Sequence, residues 1–399
     1  MRTDLISRLN HMRDLGPSEA EANFNASRRM TEVLTRSGFQ RLDTPVIEPT
    51  DLFVRKSGGE VSSSLYSFQD PGGMSVSLRP EFTPSIIRWY IENAARAADS
   101  ERFQYSGPVF RYAGTRRGRF RQFQQVGAEL IGVPDSSGDI EILTAAMRCL
   151  RAAGISEFTL RLGNIGMIHD LVQSQGLSEQ VEMFIVSNLE KIGCDSDRKQ
   201  RLLESAIAAD LVMSEHKSTP VTEGLDKAMP ELDVIRRSIS APTGRRSAGQ
   251  ILARLSSRMK RACSMDEFEA AVENVAQLVS LDGNAWDVLE DAEAILKSNR
   301  ASLASVRGLG ATLIKLRSEG VSDSTIHLDL SFVRGMTYYT GIVFEFLAGQ
   351  GPDDYPIGGG GRYDELVRAF GGGNVPACGF ALYVEEVVRN INRESGKTS

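Results

Sequence analysis

The sequence predicts an α+β fold, an antiparallel-rich sheet flanked by helices with a helical domain inserted into it. Three observations carry this. Strand patterns fill the first and last parts of the 399-residue chain, whereas the block between is patterned for helices. In the last part, "TIHLDLSFV" sets Ile326, Leu328, Leu330 and Phe332 against His327, Asp329 and Ser331, the alternation of a half-buried strand. In the middle block, "SMDEFEAAVENVAQLVSL" opens on a capping box, Ser264 with Glu267. It then places Phe268, Ala271, Val272, Val275 and Val279 on one helical face. Domains are therefore expected at 1–164, 165–320 and 321–399, the outer two forming one sheet domain.

The elements follow in order. A helix from Ala20 to Ser37 leads into "FQRLDTPVIEPTDLF", where Pro45 and Pro49 suit an edge or an interface rather than a central strand. "SVSLRPEFTPSIIRWYIENAARAA" reads as a strand running into a helix. A hairpin comes next, with Gly114 and Gly118 bracketing its tip. The helix "DIEILTAAMRCLRAAGI" and the strand "FTLRLGN" close the first block. After the insertion, "YYTGIVFEFLAG", "PIGGGGRYDELVRAFGGG" and "CGFALYVEEVVRNIN" supply further strands and a closing helix.

Composition narrows the function classes. The formal net charge of -6 argues against broad, non-specific nucleic-acid binding. No apolar run reaches the length of a membrane span, and "MRTDLISRLNHMRDLG" lacks the apolar core of a secretory signal, so a cytoplasmic protein is expected. Cys149, Cys194, Cys263 and Cys378 lie far apart without a CxxC pair, and the four histidines are not at ligand spacing. Free thiols, no metal and no cofactor are the expectation.

One local feature departs from the acidic whole. Five arginines crowd between Arg111 and Arg121 around the hairpin tip. They suit a phosphate or carboxylate, because a guanidinium donates two parallel bonds; equally, arginines at a tip keep a loop soluble and protect a strand edge. On the returning strand Arg121, Phe123, Gln125, Gly127 and Glu129 share a face. Gln125 and Glu129 stand about 13 Å apart along it, and Gly127 is expected to leave open space between them for a small zwitterion. Glu81 in "LRPEFT" reads either as an ammonium-binding carboxylate beside Thr83 or as a helix N-terminal charge. Arg334 in "VRGMTYYTG" reads as a ligand-binding cation or an ordinary ion-pair partner. Tyr338 and Tyr339 are expected on opposite sides of a strand, one of them in the core. Gly358 to Gly361 lacks the ending of a P-loop, which leaves a close backbone approach to ligand or a flexible connector.

Together these segments resemble the class II aminoacyl-tRNA synthetases in their histidyl form. "GPVFRY" with "GRFRQFQQVGAE" is similar to motif 2, and "TPVIEPTDLF", with Pro45, to motif 1. "LRPEFT" resembles the amino-acid-binding LRPE-x-T, "VRGMTYYTGIVFEF" and "GGGRYDELV" the two histidine signatures, and "PACGFALYVEEV" motif 3. The likeness covers the first 165 residues and the last 75, roughly, with the motifs in the family's order. It implies a class II synthetase-like sheet and a histidine pocket. Glu81, Thr83 and Gln125 would take the α-amino group, Glu129 and Tyr339 the imidazole, and Arg334 the carboxylate side. Tyr363 would line the pocket, with Arg111 and Tyr338 beside it.

The departures from the family pattern matter as much. Ala113 stands where motif 2 carries an acidic residue, Glu386 where motif 3 carries the nucleotide-holding arginine, and Tyr383 where a glycine is usual. Thr337 replaces the acidic residue usual before the tyrosines. The chain closes soon after motif 3, so no anticodon-binding domain is expected to follow. This combination resembles the regulatory subunits of ATP phosphoribosyltransferase. It implies no catalysis by this chain, a short-form catalytic subunit as partner, a homodimer through motif 1 within a hetero-oligomer, and histidine as effector. An active histidyl-tRNA synthetase and a tRNA-binding module stay open as alternatives, the latter disfavoured by charge.

Overall fold

The computed structural model describes residues 7–55, 63–94, 100–112, 120–192, 196–213, 262–332, 338–348, 356–394 and 396. Arg334, Thr337 and the hairpin tip with Ala113 lie outside these residues. The chain forms two compact units, one of residues 1–167, 281–291 and 304–399, the other of 168–280 and 292–303.

The first unit is built on a nine-stranded sheet. Helix α1 (Pro17–Arg36) starts with Pro17 in its first turn and Glu19 reaching back to the Gly16 N–H at 3.3 Å. Strands β1 (Gln40–Arg41) and β2 (Ile47–Pro49), helix α2 (Thr50–Val54) and strands β3 (Ser67–Gln69) and β4 (Ser75–Leu78) follow. Helix α3 (Thr83–Asn93) precedes the long pair β5 (Glu101–Phe110) and β6 (Gln122–Ile131). Helix α4 (Ser136–Ala153) opens where Asp135 accepts the Ser137 N–H at 2.9 Å and closes at Gly154, whose φ of 115° suits a residue without Cβ. Strand β7 (Thr159–Asn164) completes this stretch.

Helices α5 (Ile165–Ser174), α6 (Glu179–Ser187), α7 (Leu189–Ile192), α8 (Ser196–Ala208) and α9 (Met265–Val279) come next. The Ser264–Glu267 capping box opens α9, and its buried face carries Phe268, Ala271, Val272, Val275, Leu278 and Val279, as the spacing predicts. In the second unit this face shares the core with Val181, Ile185, Leu202 and Ala206. Strand β8 (Asp282–Asn284), helices α10 (Ala285–Ser298) and α11 (Ala304–Ser318) and strands β9 (Ile326–Asp329), β10 (Ile342–Leu347), β11 (Pro356–Arg362) and β12 (Ala377–Tyr383) follow, with helix α12 (Leu366–Ala369) before β12 and α13 (Val384–Glu394) after it.

The sheet order is β1-β5-β6-β12-β11-β10-β7-β9-β8. Among the described residues only β1–β5 and β7–β9 of this sheet are parallel, so it is mixed but antiparallel at its centre. The terminal segments are thereby interleaved: β6 from the first part lies against β12 from the last. A separate three-stranded sheet, β2-β4-β3, stands beside it. The helical block expected at 165–320 is narrower in the structure. Residues 281–291 and 304–320 belong to the first unit, because β8 pairs with β9 and α11 packs on α4.

Candidate functional site

The site begins at the corner between β4 and α3. The Arg79 side chain, 2% exposed, donates to the Pro108 carbonyl at 2.9 Å and the Thr44 carbonyl at 2.6 Å, and its guanidinium lies 3.9 Å over the Phe82 ring. Phe82 in turn stacks on Tyr105 of β5, 4.3 Å between centroids and 13° between planes. This column fixes the two residues flanking Phe82 that matter chemically, Glu81 and Thr83. Their partners come from β6, β11 and the approach to β10.

Glu129 of β6 is the centre. Its Oε1 accepts from the Thr83 hydroxyl at 2.6 Å and the Tyr105 hydroxyl at 3.3 Å, and its Oε2 accepts from the Tyr363 hydroxyl. Burial pushes the Glu129 carboxyl up to about 8, the three donors pull it back, and the nearby Glu81 charge adds to the rise. Glu81 accepts from Tyr338 at 3.0 Å. Tyr105, Tyr338 and Tyr363 are held well above the ordinary phenol range, first by burial and then by these carboxylates. Gln125 is 1% exposed, and its Oε1 finds no donor among the described residues. An unpaired buried amide oxygen costs stability until a donor reaches it.

Glu81, Thr83, Arg111, Gln125, Tyr338, Tyr339 and Tyr363 line one cleft. Eight of the nine sequence-predicted site residues thus converge, while Arg334 falls outside the described residues. Glu129 lies behind Thr83, Tyr105 and Tyr363 rather than on the wall. The enclosed space is about 20 Å³, room for about one water, so an amino acid enters only if the aromatic side chains part. A groove of about 550 Å³ in the second unit, lined by Lys199, Leu203, Phe268 and Glu273 with Asp266 and Glu269, is larger, and its Lys199 is paired with Glu273 at 2.8 Å.

Several expectations change. The space over Gly127 is not open: a Cβ there would meet the Tyr105 hydroxyl and the Phe380 carbonyl. Tyr105 is the direct cross-strand partner of Gly127, and its phenol lies across the glycine to reach Glu129. Tyr338 and Tyr339 are both buried and both line the cleft, because they precede β10 in a turn where strand alternation does not apply. The phenols bonded to Glu129 are those of Tyr105 and of Tyr363, the latter expected only to line the pocket. The glycine run is not a connector, and its Gly359 and Gly360 line the cleft, as a close backbone approach to a ligand requires. The run is strand β11, and a Cβ on Gly361 would meet the Tyr339 ring at 2.8 Å. Arg362 anchors this strand by donating to Asp139 at 2.8 Å and to the Val133 and Asp135 carbonyls.

The departures from the synthetase pattern also find their places. Glu386 pairs with Arg389 one turn along α13 at 2.6 Å. Its charge is therefore partly neutralised, and it is not among the residues that line the cleft. Glu385 accepts the Gln124 N–H at 3.0 Å, and burial holds its carboxyl above the usual range. The Tyr383 ring stands edge-on to Phe123 at 5.6 Å, and Arg111, donating to the Pro80 carbonyl at 2.9 Å, lies 5.5 Å from the same Phe123 ring.

Known proteins share both the sequence and the fold. The histidyl-tRNA synthetase family profile matches residues 11–194 and 201–387. Histidine–tRNA ligase of Pyrococcus abyssi is 30% identical over 387 residues, covering 96% of this chain and 75% of that protein. The Methanocaldococcus jannaschii histidine–tRNA ligase is 27% identical over 380 residues, with 95% and 74% covered. Among solved structures, an ATP phosphoribosyltransferase regulatory subunit/histidyl-tRNA synthetase from Bacillus halodurans superposes with a TM-score of 0.65 at 22% identity, over 97% of this chain and 84% of that one. A histidine–tRNA ligase subunit from Alicyclobacillus acidocaldarius gives 0.61 at 24% identity, over 98% of each chain. At these identities the structures speak for the fold alone: a class II synthetase-like mixed sheet flanked by helices. With the profile spanning nearly the whole chain, the chain belongs to the histidyl-tRNA synthetase family.

Proposed function

We propose that this chain is a non-catalytic regulatory subunit of a short-form ATP phosphoribosyltransferase, binding histidine as feedback effector in the cleft between β6 and the tyrosines. The observation that carries this reading is an asymmetry about one cleft. Its amino-acid half keeps Glu81 on the wall with Glu129 behind it, an amide and four phenols, whereas its end toward α13 is lined by Tyr383, where motif 3 has a glycine, and Glu386 of α13 stands where that motif has its arginine. A carboxylate site suits the ammonium and imidazole of histidine, which carry the donors its oxygens can accept. Opening the cleft exchanges internal hydroxyl bonds of Glu129 for ligand bonds, so selectivity rests on ligands able to replace them. Toward α13, Arg389 is engaged by Glu386, and Arg111, the cation on the described cleft wall, donates to the Pro80 carbonyl. Two copies would associate through the small β2-β4-β3 sheet, and the dimer would join the catalytic subunit.

The names of the curated relatives favour a second reading, a histidine–tRNA ligase. Two assays separate them. With pure protein, histidine, ATP and magnesium, the regulatory reading expects no histidine-dependent exchange of pyrophosphate into ATP. Added to a short-form ATP phosphoribosyltransferase, the protein should raise the rate, and histidine should reverse the rise. The two states must then differ in histidine affinity. Exchange activity, or no effect on the transferase, would overturn the proposal. Calorimetry locates the ligand: Glu129→Ala should weaken histidine binding at least tenfold, about the cost of leaving one buried polar group unpaired.

A further inference from the structure

Strands β6 and β12 run antiparallel with Glu129 opposite Gly379, Gly127 opposite Ala381 and Gln125 opposite Tyr383. Directly opposed residues point to the same face, so these six, with Phe123 beyond Gln125, pave one side of the sheet. Gly379, Ala381 and Tyr383 all line the cleft. Along β12 the paving therefore rises from no side chain, to a methyl, to a phenol. The phenol ring meets Phe123 edge-on, their planes at 87°, and Arg111 approaches Phe123 as well. The strand ends there and turns into α13, with Glu385 clamped on the Gln124 N–H to hold the two strands in register at this point.

We infer that Tyr383 is a specificity-determining wall: with Phe123 it closes the cleft beyond Gln125 and Arg111, restricting the ligand to a single free amino acid. This rests on the histidine-binding reading and deepens it. Gln125 and Arg111 stand at the walled end, and Glu129 lies at the other. A ligand with its ring toward Glu129 points its carboxylate toward Arg111, so any group attached to that carboxyl runs into the Tyr383 and Phe123 rings. Removing the phenol would uncover the Phe123 ring beside Gln125 and Arg111 and give an extended aryl group a surface to stack on.

The test compares histidine with histidine β-naphthylamide by calorimetry, on the full chain. For the wild type, the naphthylamide should bind at least about tenfold more weakly than histidine, the scale of one steric exclusion. Tyr383→Ala should bring the two affinities to within about threefold, less than 1 kcal/mol apart. Tyr383→Phe should keep the exclusion, since the ring and not the hydroxyl forms the wall. If Tyr383→Ala proves unfolded by circular dichroism, Tyr383→Leu takes its place and should narrow the gap partway. A naphthylamide that binds wild type as tightly as histidine overturns the inference, and so does one still excluded from a folded Ala or Leu variant that binds histidine. Absence of histidine binding by the wild type itself would instead sink the functional reading.

Discussion

Glu129 accepts three hydroxyls while 1% exposed, and its proton balance follows from that setting. Its carboxyl titrates near 8 in the folded chain against 4.5 for an ordinary glutamate. The folded state therefore holds the proton more tightly than the unfolded state. Its contribution is fully present below about 4.5 and is lost as pH rises through about 8. The ligand-free protein should lose stability across that window, and Glu129→Gln should flatten the loss, both measurable by urea unfolding at a series of pH values. An unchanged slope in the variant would remove Glu129 as the cause. At this scale the sequence was legible wherever one residue type carried the chemistry, as with Glu81, Gln125 and Glu129. Tyr105 was missed, although a signal for it existed. A hairpin bracketed by Gly114 and Gly118 pairs residue 105 with 127, and a large residue opposite a glycine has only the glycine's space to lie in.

Strands β6, β11 and β12 owe their glycines to the side chains that cross them. A Cβ on Gly379 would meet the Glu129 carboxylate, and one on Gly127 would meet Tyr105 and the Phe380 carbonyl. Gly379→Ala and Gly127→Ala should each destabilise the protein by about 1–3 kcal/mol, the usual cost of overpacking a filled core. Gly379→Ala should also abolish histidine binding, by pushing Glu129 away from Tyr363. Chemical denaturation and calorimetry measure the two effects; a Gly379→Ala variant with wild-type affinity would mean that Glu129 does not set the site. Helix α9 was readable from periodicity, because it has one apolar and one polar face, whereas central strands such as β10 are buried on both. The segment at Tyr338 and Tyr339 was not readable. It looks extended in sequence, but it turns into β10, and both rings enter the cleft. Turn geometry is set by what the chain must reach, which no local pattern records.

The order of the nine strands depends on pairings between segments more than 200 residues apart, such as β6 with β12, and periodicity alone could not supply it. The order of the motifs in the chain, through family resemblance, gave the class of fold and not this strand order. That resemblance also directs attention to the small sheet. Val46, Ile47, Val54, Phe68 and Met74 are exposed large apolar residues at 37%, 49%, 45%, 45% and 58%, all in or beside β2, α2, β3 and the turn before β4. Scattered apolar residues need no partner, but five on one layer exceed what a solvated surface requires. Beneath them the sheet is polar and tied down: Glu48, 5% exposed, accepts from Arg88 of α3 at 2.7 Å, and Ser77 bonds Ser67 and Thr50. The layer is thus rigid without depending on its apolar outer residues. Changing those residues should break an association while sparing the fold. Ile47→Asp with Phe68→Asp should convert the dimer to a monomer in analytical ultracentrifugation, with thermal unfolding of the monomer remaining cooperative. A variant that remains dimeric would place the contact elsewhere on the molecule, and a wild-type protein that sediments as a monomer would remove the dimer from the proposed assembly.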